Sequence, residues 1–170
     1  MKTVELNNTI EEAILKLKLS PNSPMTFPEQ EELIKEQIEK YHNQIKQSTG
    51  IEKTLAVDTY VLILELHWNL IKNLIDIFKA PVTKSEDFLK EYKLKAIEFL
   101  NTNLTSSIHD LKSIYLNSDS ETKAEIGKSL VRLYPIYIEA AIYYFRFNSG
   151  EHMALYTKSL KDLEEMKIVS

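Results

Sequence analysis

The sequence contains no cysteine and only three glycines among its 170 residues. Without cysteine, the chain has no disulfides, zinc–thiolate sites, iron–sulfur clusters or cysteine nucleophiles, and nothing in it requires an oxidising compartment. Gly50, Gly127 and Gly150 are far apart, whereas a phosphate-cradling loop needs several glycines within a short span. These two absences exclude thiol chemistry and glycine-rich nucleotide-binding loops.

Long apolar runs are also absent, since the longest run of aliphatic residues is VLIL at residues 61–64. A membrane-spanning helix needs about 20 apolar residues, so we expect no membrane partner. The first residues, MKTVELNNTIEE, include acidic side chains and no continuous apolar core, which is not typical of a secretory signal. The sequence therefore predicts a cytoplasmic protein.

An excess of basic residues is missing as well, because the net charge is −4. Lysines alternate with glutamates, as in EEAILKLK and EELIKEQIEK, and this pattern is typical of solvated helix faces. A protein that binds a phosphate backbone needs clustered lysine and arginine. The charge pattern therefore does not favour a nucleic-acid partner.

Helical spacing of apolar residues runs through almost the whole chain, and it predicts an all-α fold. We expect a single domain over residues 1–170, built as a bundle of about six helices. Two long and nearly buried central helices are predicted at about 52–79 and 120–148. A proline-rich linker at 20–28, SPNSPMTFP, separates the first helix, at about 9–19, from the main bundle.

Local signals predict several helix ends. Thr9 begins TIEE, which resembles a capping box, and Ile10, Ile14 and Leu17 form the apolar stripe of the first helix. The second helix is predicted to begin with Thr26 as its cap and Pro28 in its first turn, and to end at Gly50 in a left-handed conformation. A kink is predicted at Pro135 in the helix at 120–148.

The fourth helix, predicted from Ser85 to about residue 117, contains the polar run NTNLTSS at 101–107. This run is poor in helix-forming residues, so the sequence leaves open whether the helix is kinked or broken there. A last helix is predicted at about 151–167.

The segment YPIYIEAAIYYFRF, residues 134–147, is rich in aromatic residues and contains one Glu and one Arg. At about 100° per residue, Arg132, Glu139 and Arg146 fall on one narrow polar stripe. The chain has only two arginines, and both lie on this stripe, with Tyr143 close enough in phase to stack on one of them. We interpret the stripe either as a solvated edge or as a surface that pairs with an acidic partner or another helix.

His67 lies on the apolar face of its predicted helix, so we expect it to be buried and to form a hydrogen bond with a tyrosine. A pH-sensitive or ligand-binding role is the alternative. Tyr134, Tyr137 and Tyr144 are expected to pack in the core or to line a pocket between helices.

Metal and catalytic motifs are lacking. The chain has one Glu-x-x-His motif, Glu39 to His42, whereas a carboxylate-bridged di-iron bundle needs two such motifs and two further glutamates. It has no His-Glu-x-x-His and no Gly-x-Ser-x-Gly motif. We therefore predict no metal, no cofactor and no catalytic residue.

The spacing Arg146-x5-His152 resembles the motif of HEPN-type RNases, which are helical bundles and often dimers. The resemblance covers seven residues, and it departs from the family pattern at Phe147, where a polar residue is usual. It implies an RNase that would use Arg146 and His152.

The missing motifs, the bundle and the abundant tyrosines together favour a non-enzymatic interaction protein of the adaptor, inhibitor, immunity or regulatory type. It would bind a protein partner or self-associate, and the proline-rich linker would allow the first helix to dock in trans. A small-molecule binder with a tyrosine-lined pocket and the RNase remain the alternatives.

Overall fold

The computed structural model describes residues 2–79, 94–147 and 153–169, with side chains for 2–74, 94–142 and 153–166. All regular structure in these residues is helical, which confirms the predicted all-α bundle. None of the described helices is both long and apolar enough to cross a membrane. The elements are α1 (Lys2–Lys18), α2 (Phe27–Gln47), α3 (Gly50–Lys79), a π-helix (Phe99–Leu104), α4 (Thr105–Leu116), α5 (Ser120–Leu130), α6 (Leu133–Phe147) and α7 (Met153–Val169).

Helix α1 begins at Lys2 rather than near Thr9, so the predicted start was wrong. The Thr9 hydroxyl donates to the Glu5 carbonyl one turn earlier, at 2.9 Å, instead of capping a new helix. A threonine that bonds back to the residue at i−4 is compatible with a helix interior. The TIEE sequence was therefore a misleading signal.

The packing of α1 differs most from the prediction. The predicted stripe of Ile10, Ile14 and Leu17 is 45–74% exposed, although it was expected to pack against the bundle, and Leu6 one turn earlier is 59% exposed. The opposite face contacts the bundle through the buried residues Leu15 and Leu19 and through polar side chains. The polar contacts run from Asn8 and Glu12 to Thr59 and from Glu11 to Tyr41.

Helix α2 begins as the sequence predicts. The Thr26 hydroxyl accepts from the Glu29 amide at 3.3 Å, and Pro28 lies in the first turn. The preceding linker is held by Gln30, whose side-chain amide donates to the carbonyls of Lys18 and Ser20 at 3.0 and 2.9 Å. Helix α2 ends at Gln47, which is earlier than the predicted end at Gly50.

Gly50 is the first residue of α3, where it adopts φ +59°. This left-handed backbone favours glycine, so the predicted conformation is present although the predicted helix end was wrong.

Helix α3 forms the centre of the bundle and contacts α1, α2, α5 and α6. Its side chains are buried on most sides, and Trp68 is the largest fully buried one in the described part of the chain. The indole of Trp68 stacks on Phe99 with ring centroids 5.5 Å apart. This contact ties the central helix to the start of the π-helix.

Residues 94–116 form one continuous helical path that widens in the middle, where a kink or break was expected. Residues 94–98 are α-helical, Phe99–Leu104 form the π-helix, and α4 follows without a gap. The Thr105 amide donates to the Leu100 carbonyl five residues earlier, which is the π-helical pattern. The apolar rhythm predicted here is confirmed, because Phe99, Leu104 and Ile108 are buried.

The second long central helix, predicted at 120–148, is instead two helices. Helix α5 ends at Leu130 and α6 begins at Leu133, with a turn at Val131 and Arg132. Pro135 explains this break, because its ring has no amide hydrogen and would clash with the carbonyl four residues earlier. Pro135 therefore accompanies a helix break, where only a kink was predicted.

Several predicted features lie outside the described residues. They are the helix start at Ser85, Gly150 before the last helix, His152 and the side chains of Tyr143, Tyr144 and Arg146.

Candidate functional sites

The polar stripe that contains Arg132 faces a matching stripe on α3. The Arg132 guanidinium donates from Nη1 to Asp58 Oδ1 at 2.6 Å and from Nε to Glu65 Oε1 at 2.5 Å. Asp58 also accepts from the Ser129 hydroxyl at 3.0 Å. A planar guanidinium can donate to two carboxylates that lie about two turns apart on one helix face, whereas a lysine ammonium is a single point charge.

Glu139 continues this row of ion pairs. Its carboxylate lies 2.7 Å from the Lys72 ammonium, on the same side of α3 as Asp58 and Glu65. The structure therefore places both described stripe residues, Arg132 and Glu139, against another helix of the same chain. These contacts align α5 and α6 on the central helix.

Replacing Arg132 by alanine is expected to lower the free energy of unfolding by about 1–2 kcal/mol, because two carboxylates lose their shared partner. Partial exposure of the pair limits the loss, since solvent screens these charges. Arg132→Lys should cost less than Arg132→Ala. Urea unfolding followed by circular dichroism measures both values.

The matched control for this series is Lys128→Ala, because Lys128 forms an exposed pair with Glu125 on the same helix. Its removal should change stability by no more than about 0.5 kcal/mol. Equal losses for Arg132→Ala and Lys128→Ala would contradict a role for Arg132 in helix alignment.

The described residues form a slot-shaped cavity of about 680 Å³. One wall is α2, the floor is α3, and the other wall runs from Glu98 through the π-helix to Asp110. This volume falls within the range of about 300–1,000 Å³ usual for small-molecule sites. We call this cavity the slot below.

A side-chain contact joins the two walls near each end of the slot: an ion pair at one end and a histidine–carboxylate contact at the other. Lys95 Nζ lies 2.9 Å from Glu31 Oε1 at one end, and His42 Nδ1 lies 3.9 Å from Asp110 Oδ2 at the other. Because residue numbers rise in the same direction along both walls, the two helices run parallel. Eleven residues separate the two bridges on α2, which is about 16 Å of helix.

The slot is anionic at its rim and has apolar side chains deeper in, on its α2 wall and its floor. Its described lining has five carboxylates against one lysine, Lys35. Ile34, Ile38 and Leu64 supply apolar surface. The far wall is uncharged in the middle, where Thr102, Asn103, Ser106 and Ser107 line the slot.

His67 lies in the floor of the slot and is 6% exposed. Burial, and then the nearby charge of Lys95, lower its pKa from 6.5 to about 4, so the imidazole is neutral at pH 7. Its ring edge packs against Phe99, with centroids 5.1 Å apart. The expected tyrosine partner is absent among the described residues, and the Asn103 amide lies 3.4 Å from Nδ1 instead.

Tyr60 is the tyrosine that the structure does bring to the slot. Its hydroxyl lies 2.8 Å from the Ser107 hydroxyl, which links the floor to the far wall. Burial raises the pKa of Tyr60. This hydroxyl therefore stays protonated and serves as a fixed hydrogen-bonding group.

Tyr134 and Tyr137, which were expected to pack in the core or to line a pocket, lie away from the slot. Tyr137 is 1% exposed, and its hydroxyl donates to the Tyr156 carbonyl at 2.5 Å. Tyr134 is half-buried, and its hydroxyl donates to Glu164 at 3.3 Å. Both contacts join α6 to α7, and neither side chain lines the slot.

The described residues offer little for metal binding. Within them, no group of three or more His, Asp or Glu side chains is placed to hold a metal ion. The RNase resemblance depends on Arg146 and His152, and neither the Arg146 side chain nor His152 is among the described residues. The slot and the outward face of α1 therefore remain as the two candidate sites.

Sequence reasoning missed most slot residues, including Glu32, Glu98, Thr102 and Asp110. Only Thr102 had a sequence signal, because it lies in the polar run 101–107 within an otherwise apolar helix. The carboxylates resemble any solvated helix face, because their convergence depends on how α2 packs beside residues 98–110.

No family model, curated protein or solved structure matches this chain.

Proposed function

We propose that this protein is a non-enzymatic interaction protein that works through protein–protein contacts, and that α1 carries its docking surface. The observation behind this proposal is the outward apolar face of α1. We call its residues the α1 stripe: Leu6, Ile10, Ala13, Ile14 and Leu17, all of which are exposed.

The α1 stripe lies opposite the face of α1 that contacts the bundle. At about 100° per residue, the stripe spans roughly 220–320°, whereas Asn8, Leu15 and Leu19 centre near 80°. No charged residue falls within the stripe. A contiguous apolar surface of this kind usually marks an interaction site, because leaving it in water forgoes about 25 cal/mol for each Å² of apolar area.

The occupant that suits this surface is a second copy of the chain, paired antiparallel along α1. Leu6, Ile10, Ala13 and Leu17 are spaced by 4, 3 and 4 residues, which is the seam of a two-helix coiled coil. An antiparallel two-fold axis near residues 11–12 places Leu6 beside Leu17 of the second copy. The seam is thus self-complementary, as a two-fold interface requires.

Charges at the edge of the stripe support the same arrangement. Glu5 and Lys16 lie on one edge, about 20° apart around the helix. In an antiparallel pair each edge meets the same edge of the other helix, so Glu5 of one copy approaches Lys16 of the second. Neither residue forms an ion pair within the described part of the chain.

Sedimentation-velocity experiments from 1 to 200 μM test this proposal. We expect a concentration-dependent dimer with a dissociation constant in the micromolar range, because the seam of one 17-residue helix is smaller than a standard interface of about 800 Å² per partner. Leu17→Glu should weaken dimerisation at least tenfold, since it places a charge in the seam. Leu17 is 74% exposed, so the fold should tolerate this change.

Leu116→Glu is the matched control, because Leu116 is an apolar residue that is 58% exposed outside α1. It should leave the dimer unchanged, and circular dichroism should show both variants folded. A wild-type chain that stays monomeric at 200 μM, or a Leu17→Glu variant that dimerises normally, would overturn the second copy as occupant.

Small-molecule binding is the second candidate function, and the slot favours it. The slot has a suitable volume, an apolar floor and polar groups at defined positions.

A further inference from the structure

We infer that the slot binds linear aliphatic polyamines, with ammonium groups at its two ends and methylene segments over its floor. This ligand class follows from how charge and apolar surface alternate along the slot. The inference does not depend on dimerisation through α1, because the slot is formed by α2, α3 and residues 98–110.

The carboxylates lie in two groups separated along the slot. Glu31, Glu32 and Glu98 line one end, and Glu39 and Asp110 line the other. Glu32 and Glu39 are seven residues apart, about 10 Å along α2, and Glu98 and Asp110 are twelve residues apart, about 18 Å along the other wall. A compact cation such as a metal ion cannot contact both groups, whereas an extended cation can.

Three of these carboxylates are available to a ligand. Glu32, Glu39 and Glu98 form no ion pair or side-chain hydrogen bond with any other residue in the described part of the chain. Glu31 already forms an ion pair with Lys95, and Asp110 contacts His42, as described above. Each end therefore presents at least one uncompensated negative charge, and a ligand with a cation at each end would neutralise both.

The middle of the slot suits an uncharged chain. Ile34, Ile38 and Leu64 offer the apolar contact that methylene groups require. The facing hydroxyls of Thr102 and Ser106 can accept hydrogen bonds from an internal amine of the ligand. Lys35 is exposed at the rim and discourages a third cation on the α2 side.

His67 adds a second polar group that points to a ligand. It is more than nine-tenths buried, and Asn103 is its one hydrogen-bond partner among the described residues. Because the Asn103 side-chain nitrogen donates to Nδ1, the neutral ring carries its proton on the other nitrogen, Nε2. The neutral ring adds no positive charge to repel a polyamine.

Isothermal titration calorimetry with spermidine at low salt tests this inference. We expect saturable one-to-one binding that weakens as salt rises, because the rim carboxylates are exposed and screened. Butylamine, with one ammonium group, should bind at least tenfold more weakly than spermidine. Magnesium at the same concentration should not compete, because it cannot reach both ends.

Paired substitutions locate the binding site. Glu32→Gln combined with Glu39→Gln removes one free carboxylate from each end and should weaken spermidine binding at least tenfold. Glu36→Gln is the matched control, because Glu36 is exposed on the same helix but lies outside the slot. It should change binding by less than twofold.

A steric variant tests the middle of the slot without changing charge. Ser106 is exposed on its helix, so Ser106→Phe should fold while its ring obstructs the slot and abolishes spermidine binding. The inference is overturned if wild type binds no spermidine at millimolar concentration, if magnesium competes equally, or if Glu36→Gln matches the double variant. Unchanged binding by the folded Ser106→Phe variant would overturn it as well.

Discussion

Phe99→Ala is expected to lower the free energy of unfolding by about 3–5 kcal/mol, the usual cost of removing a large aromatic side chain from a core. Phe99 is 1% exposed and touches two aromatic neighbours at once. Its ring stacks on Trp68, and the ring of His67 packs against it edge to face. An alanine there leaves a cavity between α3 and the π-helix that rigid neighbours cannot fill.

Trp68 supplies a direct readout of this change, because it is the only tryptophan in the chain. Its fluorescence emission should shift to longer wavelength in Phe99→Ala as water reaches the indole. Urea unfolding gives the free energy, and Leu116→Ala, an exposed position on α4, should cost no more than about 0.5 kcal/mol. A loss below 2 kcal/mol for Phe99→Ala would contradict this account of the core.

Lowering the pH is expected to lower the free energy of unfolding, because buried His67 resists protonation in the folded chain. Its pKa is about 4 in the folded chain, against 6.5 for an unburied histidine, because burial and then the charge of Lys95 disfavour the imidazolium. The unfolded chain therefore takes up a proton at a pH where the folded chain does not. Stability is fully present above pH 6.5 and is lost as the pH falls from 6.5 towards 4.

Through His67, the free energy of unfolding should be about 2 kcal/mol lower at pH 5 than at pH 7.5. Comparing wild type with His67→Gln isolates it, because glutamine does not titrate while the carboxylates of the two proteins do so alike. The stability difference between wild type and variant should shift by about 2 kcal/mol between the two pH values. An unchanged difference would show that His67 titrates as an exposed histidine does.

The start of α2 and the burial of the 94–116 helix were predictable because each depends on signals close in sequence. Thr26 and Pro28 determine a helix start by themselves, and Leu104 and Ile108 continue a single apolar rhythm. The prediction for α1 was wrong because periodicity identifies an apolar stripe without identifying which face packs. The bonds from Asn8 and Glu12 to Thr59 reach about 50 residues along the chain, and no local pattern contains them.

In the candidate sites, too, local signals were predictable from the sequence and long-range contacts were not. Arg132 and Glu139 were identified from helical phase, yet their partners on α3 depend on which helices become neighbours. The slot requires three separate segments to converge, so Glu39 and Glu98 gave no signal of their own. Burial of His67 followed from its phase, whereas its contact with Asn103 depends on the wider turn of the π-helix.

The π-helix also has a consequence for insertions and deletions. Its turn holds one residue more than an α-helical turn, so deleting one residue from 101–103 would convert it to an ordinary α-helical turn and leave the helix that follows in nearly the same orientation. Ser106 and Asp110 would then stay at the slot, and Ile108 would stay in the core. A homologous chain with a one-residue gap at this point is therefore expected to keep the bundle and the apolar pattern of α4, and to lack only the π-helix.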